Sequence, residues 1–377
     1  MINTYGFSVV RRLALILSLC MVIAACSETE PWRFGFVGGL SGRISDLGGP
    51  ARNGMLLAVE EINAQGGIDG RLVETVIKDD QQNPELAKAA VQHLLAQSVD
   101  VIIGPVTSSM AVSVVDLANQ AETLMMGVTV TTNDLSGKND FFLRTLSATA
   151  VHAAEVADYV YDVLGIRSFA VVYDLKNKSY SQGWANDFSR NFKARGGIDK
   201  QVLSFESGQP EELPEIATRL LEGSPEMVLF VTNSVDAALL AKLVRSQNES
   251  VAIGTSEWAG TERLIEMGGK YVEGAIVPQY LDRESQEPAY LVFLESYRKR
   301  FNQEPGFPGM IAYNATKAII STLISDPNAK ALKQNILSTR RFSSVQGELI
   351  FDEFGDGRSK TYITKVEDGK FKVQVGL

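Results

Sequence analysis

The chain alternates strand-like and helix-like segments almost from end to end, and this order restricts its fold more than any other feature. Short apolar runs at 34–38, 72–78, 99–103 and 124–128 are separated by segments whose apolar residues recur at helical spacing, as over 84–97. A repeated β-α order calls for a parallel sheet with helices on both faces. We therefore predict an α/β fold.

The same pattern starts again near residue 150. A predicted helix over 151–164 is followed by a second series of strands, at 168–173, 201–206, 227–231, 251–253 and 274–277. The tail differs, with long helices over 287–302 and 310–325 and then antiparallel-type strands at 348–351, 361–366 and 371–375. With 377 residues, the chain can form two domains. We predict two doubly wound parallel-sheet lobes joined by several short crossings.

One strand-to-helix junction offers chemistry for a ligand. The buried-strand pattern of 99–103 ends at Gly104-Pro105, and Thr107, Ser108 and Ser109 follow at the predicted start of a helix. Backbone N–H groups, hydroxyls and the positive end of the helix dipole together form a seat for a carboxylate or phosphate. An ordinary helix cap is the alternative, since Ser and Thr cap helices of all kinds.

The N-terminus has the pattern of an export signal. Arg11 and Arg12 precede an apolar run over 13–25, which ends in small residues directly before Cys26. The run is too short for a comfortable membrane span, and 23–26 resembles the bacterial lipobox. We predict a lipoprotein signal peptide at 1–25, lipidation of Cys26 and an N-terminal linker at 26–32. Ordinary signal cleavage with an incidental Cys26 is the alternative.

Charge and residue usage exclude several classes of function. The net charge of −9 argues against binding to nucleic acid, because phosphates would be repelled. Both cysteines lie within the first 26 residues, which leaves the folded body without a disulfide or a cysteine nucleophile. His93 and His152 lie in predicted helices without a second histidine at i+4, so the zinc pattern is missing.

The sequence also contains few recognisable catalytic or cofactor-binding motifs. It contains no phosphate-binding loop, and the glycines of 35–39 lack the dinucleotide-binding spacing, which argues against a dehydrogenase. Asp79-Asp80 reads as a solvated acidic turn at a strand end rather than as a metal or acid pair. We predict that the protein is not an enzyme and uses no cofactor or metal.

Several passages resemble the bacterial branched-chain amino-acid-binding proteins, the solute receptors of ABC importers with the type I periplasmic-binding fold. The most specific passage is 54–71, in which an amphipathic helix ends at Gly66-Gly67 and turns through Asp69-Gly70 into a strand. Further matching passages are Gly39-Leu-Ser-Gly42, Gly48, Asp79-Asp80-Gln81, 104–109 and 347–352. The similarity extends from about Arg33 to the C-terminus.

The resemblance implies a clamshell whose ligand binds between two lobes. Lobe 1 would comprise 33–145 plus 279–345, and lobe 2 would comprise 146–278 plus 346–377, with three hinge crossings. The ligand would bind in the crevice at the carboxyl ends of the parallel strands, and closure would bury it.

The resemblance also implies the residues that contact the ligand. Ser108 matches the serine that holds the α-carboxylate, and Thr129 and Thr131 match contacts to the ammonium and carboxylate. Glu257 matches the acid that binds the ammonium, although Ser256 competes for this position because the local alignment needs one inserted residue. The aromatic residue that closes over the ligand from lobe 2 corresponds to Tyr180.

The predicted side-chain pocket departs from the family pattern. Leu47 and Asn233 stand where the family often has aromatic residues, and Trp258 follows the predicted ammonium-binding acid. These differences leave open a ligand with polar or aromatic character, an amide or another small carboxylate.

As a whole, the resemblance implies a monomeric, lipid-anchored, extracytoplasmic receptor that delivers an amino acid or a related small molecule to ABC permease subunits. A periplasmic sensory module that reports to a sensor kinase or chemoreceptor is the alternative, since it would share the fold and the cleft.

Overall fold

The computed structural model describes residues 30–377. The predicted signal peptide, the lipidation site Cys26 and most of the predicted linker lie outside the described residues. The first strand already begins at Trp32, the last residue assigned to that linker. Among the helices from residue 30 onward, none is both long and apolar enough to cross a membrane.

Lobe 1 is built on a five-stranded parallel sheet with strand order β2-β1-β3-β4-β5. Its strands are β1 Trp32–Gly38, β2 Val73–Asp79, β3 Val101–Ile103, β4 Met125–Gly127 and β5 Phe142–Arg144. The helices between them are α1 Ser45–Ala64, α2 Pro84–Ala96 and α3 Ser108–Gln120. The central strands β1 and β3 are buried almost throughout, as expected for a sheet covered on both faces.

Lobe 2 contains a seven-stranded mixed sheet with order β15-β14-β10-β9-β8-β6-β7, in which β14 and β15 run antiparallel to their neighbours. The strands are β6 Ser168–Asp174, β7 Ile198–Phe205, β8 Met227–Val231, β9 Ala252–Thr255, β10 Ile276–Gln279, β14 Tyr362–Glu367 and β15 Lys370–Gly376. The helices are α4 Thr149–Asp158, α5 Lys178–Ala194, α6 Leu213–Leu220, α7 Ser234–Gln247 and α8 Glu262–Gly268.

The chain returns to lobe 1 after β10. The helices there are α9 Pro288–Phe301, α10 Gly306–Ser325 and α11 Leu332–Thr339, and a small antiparallel sheet follows with β11 Arg341–Ser343, β12 Glu348–Phe351 and β13 Gly357–Arg358. Helix α10 is buried along most of its length and packs on α1. Their backbones approach closely at Gly54, where a Cβ atom would lie 2.0 Å from the carbonyl oxygen of Gly309.

Three connections join the lobes, at 145–148, 280–287 and 359–361. The first and third are hydrogen-bonded to each other, since the Ser147 amide donates to Ser359 Oγ at 3.0 Å and the Ser359 amide donates to Ser147 Oγ at 2.9 Å. His152, at the start of lobe 2, contacts the third connection through Thr361 Oγ1 at 2.6 Å. Burial and the nearby charge of Arg144 lower the pKa of His152 to about 3.

The predicted class, an α/β fold with two parallel-sheet lobes and a cleft between them, is confirmed. The sequence pattern missed β5, α8, α11 and two strands of the small sheet, all of which are short. The residue boundaries predicted for the two lobes stay a prediction.

Candidate functional site

A small cavity lies between the lobes and is lined by residues from both of them. The lining residues are Leu47, Val106, Thr107, Thr129, Asn177, Tyr180, Trp258, Tyr280 and Phe307. Its volume of about 20 Å³ is enough for about one water molecule. In this arrangement the lobes are therefore closed on each other.

The lobe 1 wall is formed where β3 ends and α3 begins. Gly104 has a φ of +113°, and a Cβ atom there would lie 2.1 Å from the carbonyl oxygen of Val37, so glycine allows β1 and this turn to touch. Thr107 is the N-cap residue of α3, yet its hydroxyl caps nothing and is buried without a hydrogen-bond partner among the described residues. The neighbouring Thr129 hydroxyl donates to the carbonyl oxygen of Val106.

Ser108 and Thr131 lie directly behind this wall rather than on it. The Ser108 hydroxyl is buried and accepts hydrogen bonds from the amides of Thr131 and Thr132, both at 3.3 Å. Thr131 is fully buried, and its carbonyl oxygen accepts from the Thr149 amide at 2.7 Å. Neither residue lines the cavity, and contact of the Ser108 hydroxyl with a ligand carboxylate stays a prediction.

Lobe 2 contacts the N-terminus of α3 directly. The Ser109 amide donates to Oδ1 of Asn177 at 3.0 Å, and the Ser109 hydroxyl accepts from the Ser179 amide at 3.1 Å. The N-termini of α3 and α5 thus meet across the lobe boundary. The sequence predicted an anion at this helix terminus, and here a carboxamide oxygen from the other lobe accepts from one of its amides.

Glu257 is the buried charged group of the site. It lies in a short 3₁₀ turn at 257–259, and its Oε2 accepts hydrogen bonds from the Tyr180 hydroxyl at 2.9 Å and from Trp184 Nε1 at 3.0 Å. Its Oε1 has no partner among the described residues. Burial raises the pKa of Glu257 to about 7, although both hydrogen bonds favour the ionised form. Glu257 does not line the cavity itself but contacts Tyr180, which does.

Aromatic rings form much of the remaining wall. The rings of Tyr180 and Trp258 meet edge to face with their centroids 5.9 Å apart. The indole Nε1 of Trp258 is buried without a hydrogen-bond partner in the described residues. Leu47, Tyr280 and Phe307 complete the apolar part of the lining.

The Asn233 side chain caps the N-terminus of α7 and does not line the cavity. Its Oδ1 accepts from the Asp236 amide at 3.0 Å, and its Nδ2 donates to Asp236 Oδ2 at 2.7 Å. Ser256, the alternative to Glu257, is fully buried and does not line the cavity either.

The structure therefore brings Leu47, Thr129, Tyr180 and Trp258 to one cavity, with Glu257 directly behind Tyr180. A ligand contact by any predicted residue stays a prediction. Sequence reasoning missed the lining residues Val106, Asn177, Tyr280 and Phe307. The sequence pattern included Thr107 among the hydroxyls at this helix start but assigned no individual ligand contact to it. Over residues 30–377, no group of acidic, histidine or cysteine side chains is arranged to hold a metal ion.

Comparisons with known proteins agree with this geometry. A family model described as periplasmic binding protein matches residues 31–370. Leu/Ile/Val-binding protein homolog 3 of Brucella melitensis is 25% identical, and the match covers 91% of this chain and 92% of that protein.

Two solved structures share the fold. The substrate-binding protein of the branched-chain amino acid transporter from Streptococcus pneumoniae, in complex with isoleucine, has a TM-score of 0.84, 21% identity and coverage of 92% of this chain and 98% of its own. A solute-binding protein from R. palustris in complex with 4-hydroxybenzoate has a TM-score of 0.82, 19% identity and coverage of 93% and 97%. The chain belongs to the periplasmic binding protein family.

Proposed function

We propose that this protein is an extracytoplasmic receptor that binds an amino acid or a related small carboxylate between its lobes and delivers it to an ABC importer. The observation that carries the proposal is the cavity between the lobes, where apolar rings lie beside buried polar atoms that have no hydrogen-bond partner among the described residues. Thr107 Oγ1 of lobe 1 and Trp258 Nε1 of lobe 2 belong to residues that line the cavity, and Glu257 Oε1 belongs to the acid directly behind Tyr180.

Their chemistry indicates the type of ligand. An ionised Glu257 offers an acceptor to an ammonium or amide N–H, Trp258 offers a donor, and the Thr107 hydroxyl can do either. A buried polar group without a partner costs free energy, so a ligand that satisfies all three is favoured over a purely apolar one. Leu47, Val106 and Phe307 offer apolar surface to a ligand side chain once the lobes have separated enough to admit it.

Ligand entry requires the lobes to separate. A cavity of about 20 Å³ is far smaller than the 300–1,000 Å³ or so of typical ligand pockets. Asn177 and Tyr180 both belong to lobe 2, and they would move away from Thr107 and Ser109 as the clamshell opens. The three connections between the lobes supply the hinge for this motion.

Calorimetry of the purified protein against amino acids, their amides and hydroxybenzoates tests the proposal. We expect one class to bind, and we expect Glu257→Gln to weaken the binding of ligands that carry an ammonium group. The matched control is Glu249→Gln, which changes an exposed carboxylate away from the cavity. Failure of the wild-type protein to bind any member of the panel would contradict the proposal.

The membrane anchor and the partner are parts of the same proposal. Lipidated Cys26 would lie six residues before Trp32, the first residue of β1, so the connecting segment could reach at most about 22 Å. Lobe 1 would then stay close to the membrane that carries the permease. Metabolic labelling with a radioactive fatty acid tests this, because the label should enter the wild-type protein and not Cys26→Ser.

A further inference from the structure

Two side chains reach from lobe 1 into lobe 2, one in the 3₁₀ turn at 42–44 and one in the first turn of α1. Arg43 donates from Nη1 to Oδ1 of Asp236, and Asp46 Oδ2 accepts from Ser234 Oγ and Thr261 Oγ1, both at 2.5 Å. We propose that Arg43 and Asp46 form a latch, defined by these two residues, that holds the lobes closed and controls how fast a solute enters and leaves. Only the part concerning a solute rests on the proposed function.

The Arg43 contact gives a buried carboxylate of lobe 2 its counter-charge from lobe 1. Asp236 is only 1% exposed, and its Oδ2 already accepts from the Ser207 hydroxyl and from Asn233 Nδ2. Among the described residues, its ion pair is with Arg43 alone. Opening the lobes would expose Asp236 to water, whereas closing them without Arg43 would bury it unpaired. Loss of Arg43 therefore penalises the closed state specifically.

Asp46 places a carboxylate of lobe 1 against two hydroxyls of lobe 2. Its Oδ1 is buried without a partner in the described part of the chain, so the carboxylate depends on the Ser234 and Thr261 hydroxyls when the lobes are closed. In an open state water would replace both hydroxyls at little cost. Removing them should again destabilise the closed state while each lobe keeps its own packing.

The latch is separate from the walls of the cavity. Arg43, Asp46, Ser234, Asp236 and Thr261 are all absent from the residues that line it. Substitutions on the latch should consequently change the opening of the lobes without removing a direct contact to a bound solute. This separation distinguishes a latch from a ligand-binding residue.

The experiment measures the separation of the lobes without any ligand. Spin labels at Glu85→Cys on lobe 1 and Glu249→Cys on lobe 2, both exposed positions, report the distance by electron double resonance in a Cys20→Ser, Cys26→Ser background. The latch variants are Arg43→Met and the pair Ser234→Ala with Thr261→Val. Arg298→Met is the matched control, because its ion pair with Glu304 at 2.8 Å lies within lobe 1.

We expect both latch variants to shift the label distances to longer values, and the control to keep those of the wild type. For a ligand that the wild type binds, release should become at least about tenfold faster, the scale for truncating one partner of a buried charge pair. In an Asp236→Asn background the effect of Arg43→Met should shrink, because no buried charge is then left unpaired.

Label distances in both latch variants equal to those of the wild type and the control would overturn the latch. Thermal unfolding of each variant shows that it is folded when measured. If the wild type binds no ligand of the panel, the proposed function fails while the label distances still decide whether the latch exists.

Discussion

The Tyr180 hydroxyl donates to Oε2 of Glu257 at 2.9 Å, and this bond joins a residue that lines the cavity to the buried acid behind it. Both residues belong to lobe 2, so the pair moves as one unit when the lobes separate. Glu257 keeps one carboxylate oxygen unpartnered within the described residues even though Tyr180 and Trp184 both donate to the other. The site therefore holds a carboxylate ready for one more donor.

Glu257 should make the stability of the protein depend on pH in a defined direction. Because burial raises its pKa from the usual 4.5 to about 7 in the folded state, its contribution to stability is complete below pH 4.5 and is lost as the pH rises through 7. The loss amounts to about 3 kcal/mol. Urea unfolding of the wild type and of Glu257→Gln from pH 4 to 8 should show the wild type losing stability relative to the variant. A constant difference across this range would contradict the prediction.

The same acid should make the binding of an ammonium-bearing ligand pH-dependent. Only the ionised carboxylate attracts the ammonium, so affinity should rise with pH up to about 7 and then level off. Calorimetric titrations at pH 5.5, 6.5 and 7.5 measure this trend for any ligand identified in the panel. Glu257→Gln should bind more weakly and lose the trend, whereas Glu249→Gln should retain it.

Thr107 and Ser108 should respond differently to loss of their hydroxyls. Thr107→Val removes a hydroxyl that has no partner among the described residues, so the free energy of unfolding should not fall, while ligand affinity should drop. Ser108→Ala leaves the amides of Thr131 and Thr132 unpaired and should cost about 1–3 kcal/mol of stability. Urea unfolding and calorimetry on both variants separate the two effects. A loss of stability in Thr107→Val would show that its hydroxyl has a structural partner.

The contact between α1 and α10 provides a test of the packing in lobe 1. Gly54→Ala would place a methyl group 2.0 Å from the Gly309 carbonyl oxygen, so the helices must move apart at a cost of about 1–3 kcal/mol or more. Gly183→Ala lies inside α5 with nothing within 4 Å of the added carbon, and it should stabilise the protein by about 0.5–1 kcal/mol. Chemical denaturation of both variants measures this contrast. Equal effects would mean that helix propensity, rather than the close approach, governs Gly54.

The sequence predicted the sheet architecture well because buried strands and amphipathic helices have clear periodicities. It failed at the first turns of three helices: the helical spacing of apolar residues predicts starts at 51, 183 and 310, whereas α1, α5 and α10 begin six, five and four residues earlier. These turns carry Leu47, Tyr180 and Phe307, three lining residues of the cavity.

The physical reason for these failures is that tertiary contacts govern the residues of these turns. In α1 the sequence Gly48-Gly49-Pro50 looks like a helix breaker. In the fold, however, a Cβ atom at Gly48 would lie 1.9 Å from the Gly39 carbonyl oxygen, so glycine is needed where the helix touches the turn after β1. Periodicity contains no information about such a contact.

The roles of individual polar residues also could not be predicted from the sequence. Asn233 and Ser108 both occur at helix starts, where a residue that caps a helix and a residue that binds a ligand have the same sequence context. The structure shows Asn233 capping α7 and Ser108 accepting from the amides of 131–132, while Thr107, whose hydroxyl has no partner within residues 30–377, lines the cavity. Only the hydrogen-bond partners seen in the structure distinguish a residue that caps a helix from one that is free to contact a ligand.

The order of strands in lobe 2 has a consequence for how the chain folds. Strands β14 and β15 come from the last sixteen residues, and β14 pairs with β10, which lies more than eighty residues earlier. This sheet therefore cannot be completed until residues 362–376 are available, and sequence-distant pairings of this kind slow folding. A chain shortened before Tyr362 would leave the hydrogen-bonding edge of β10 open to other strands, a known route to aggregation.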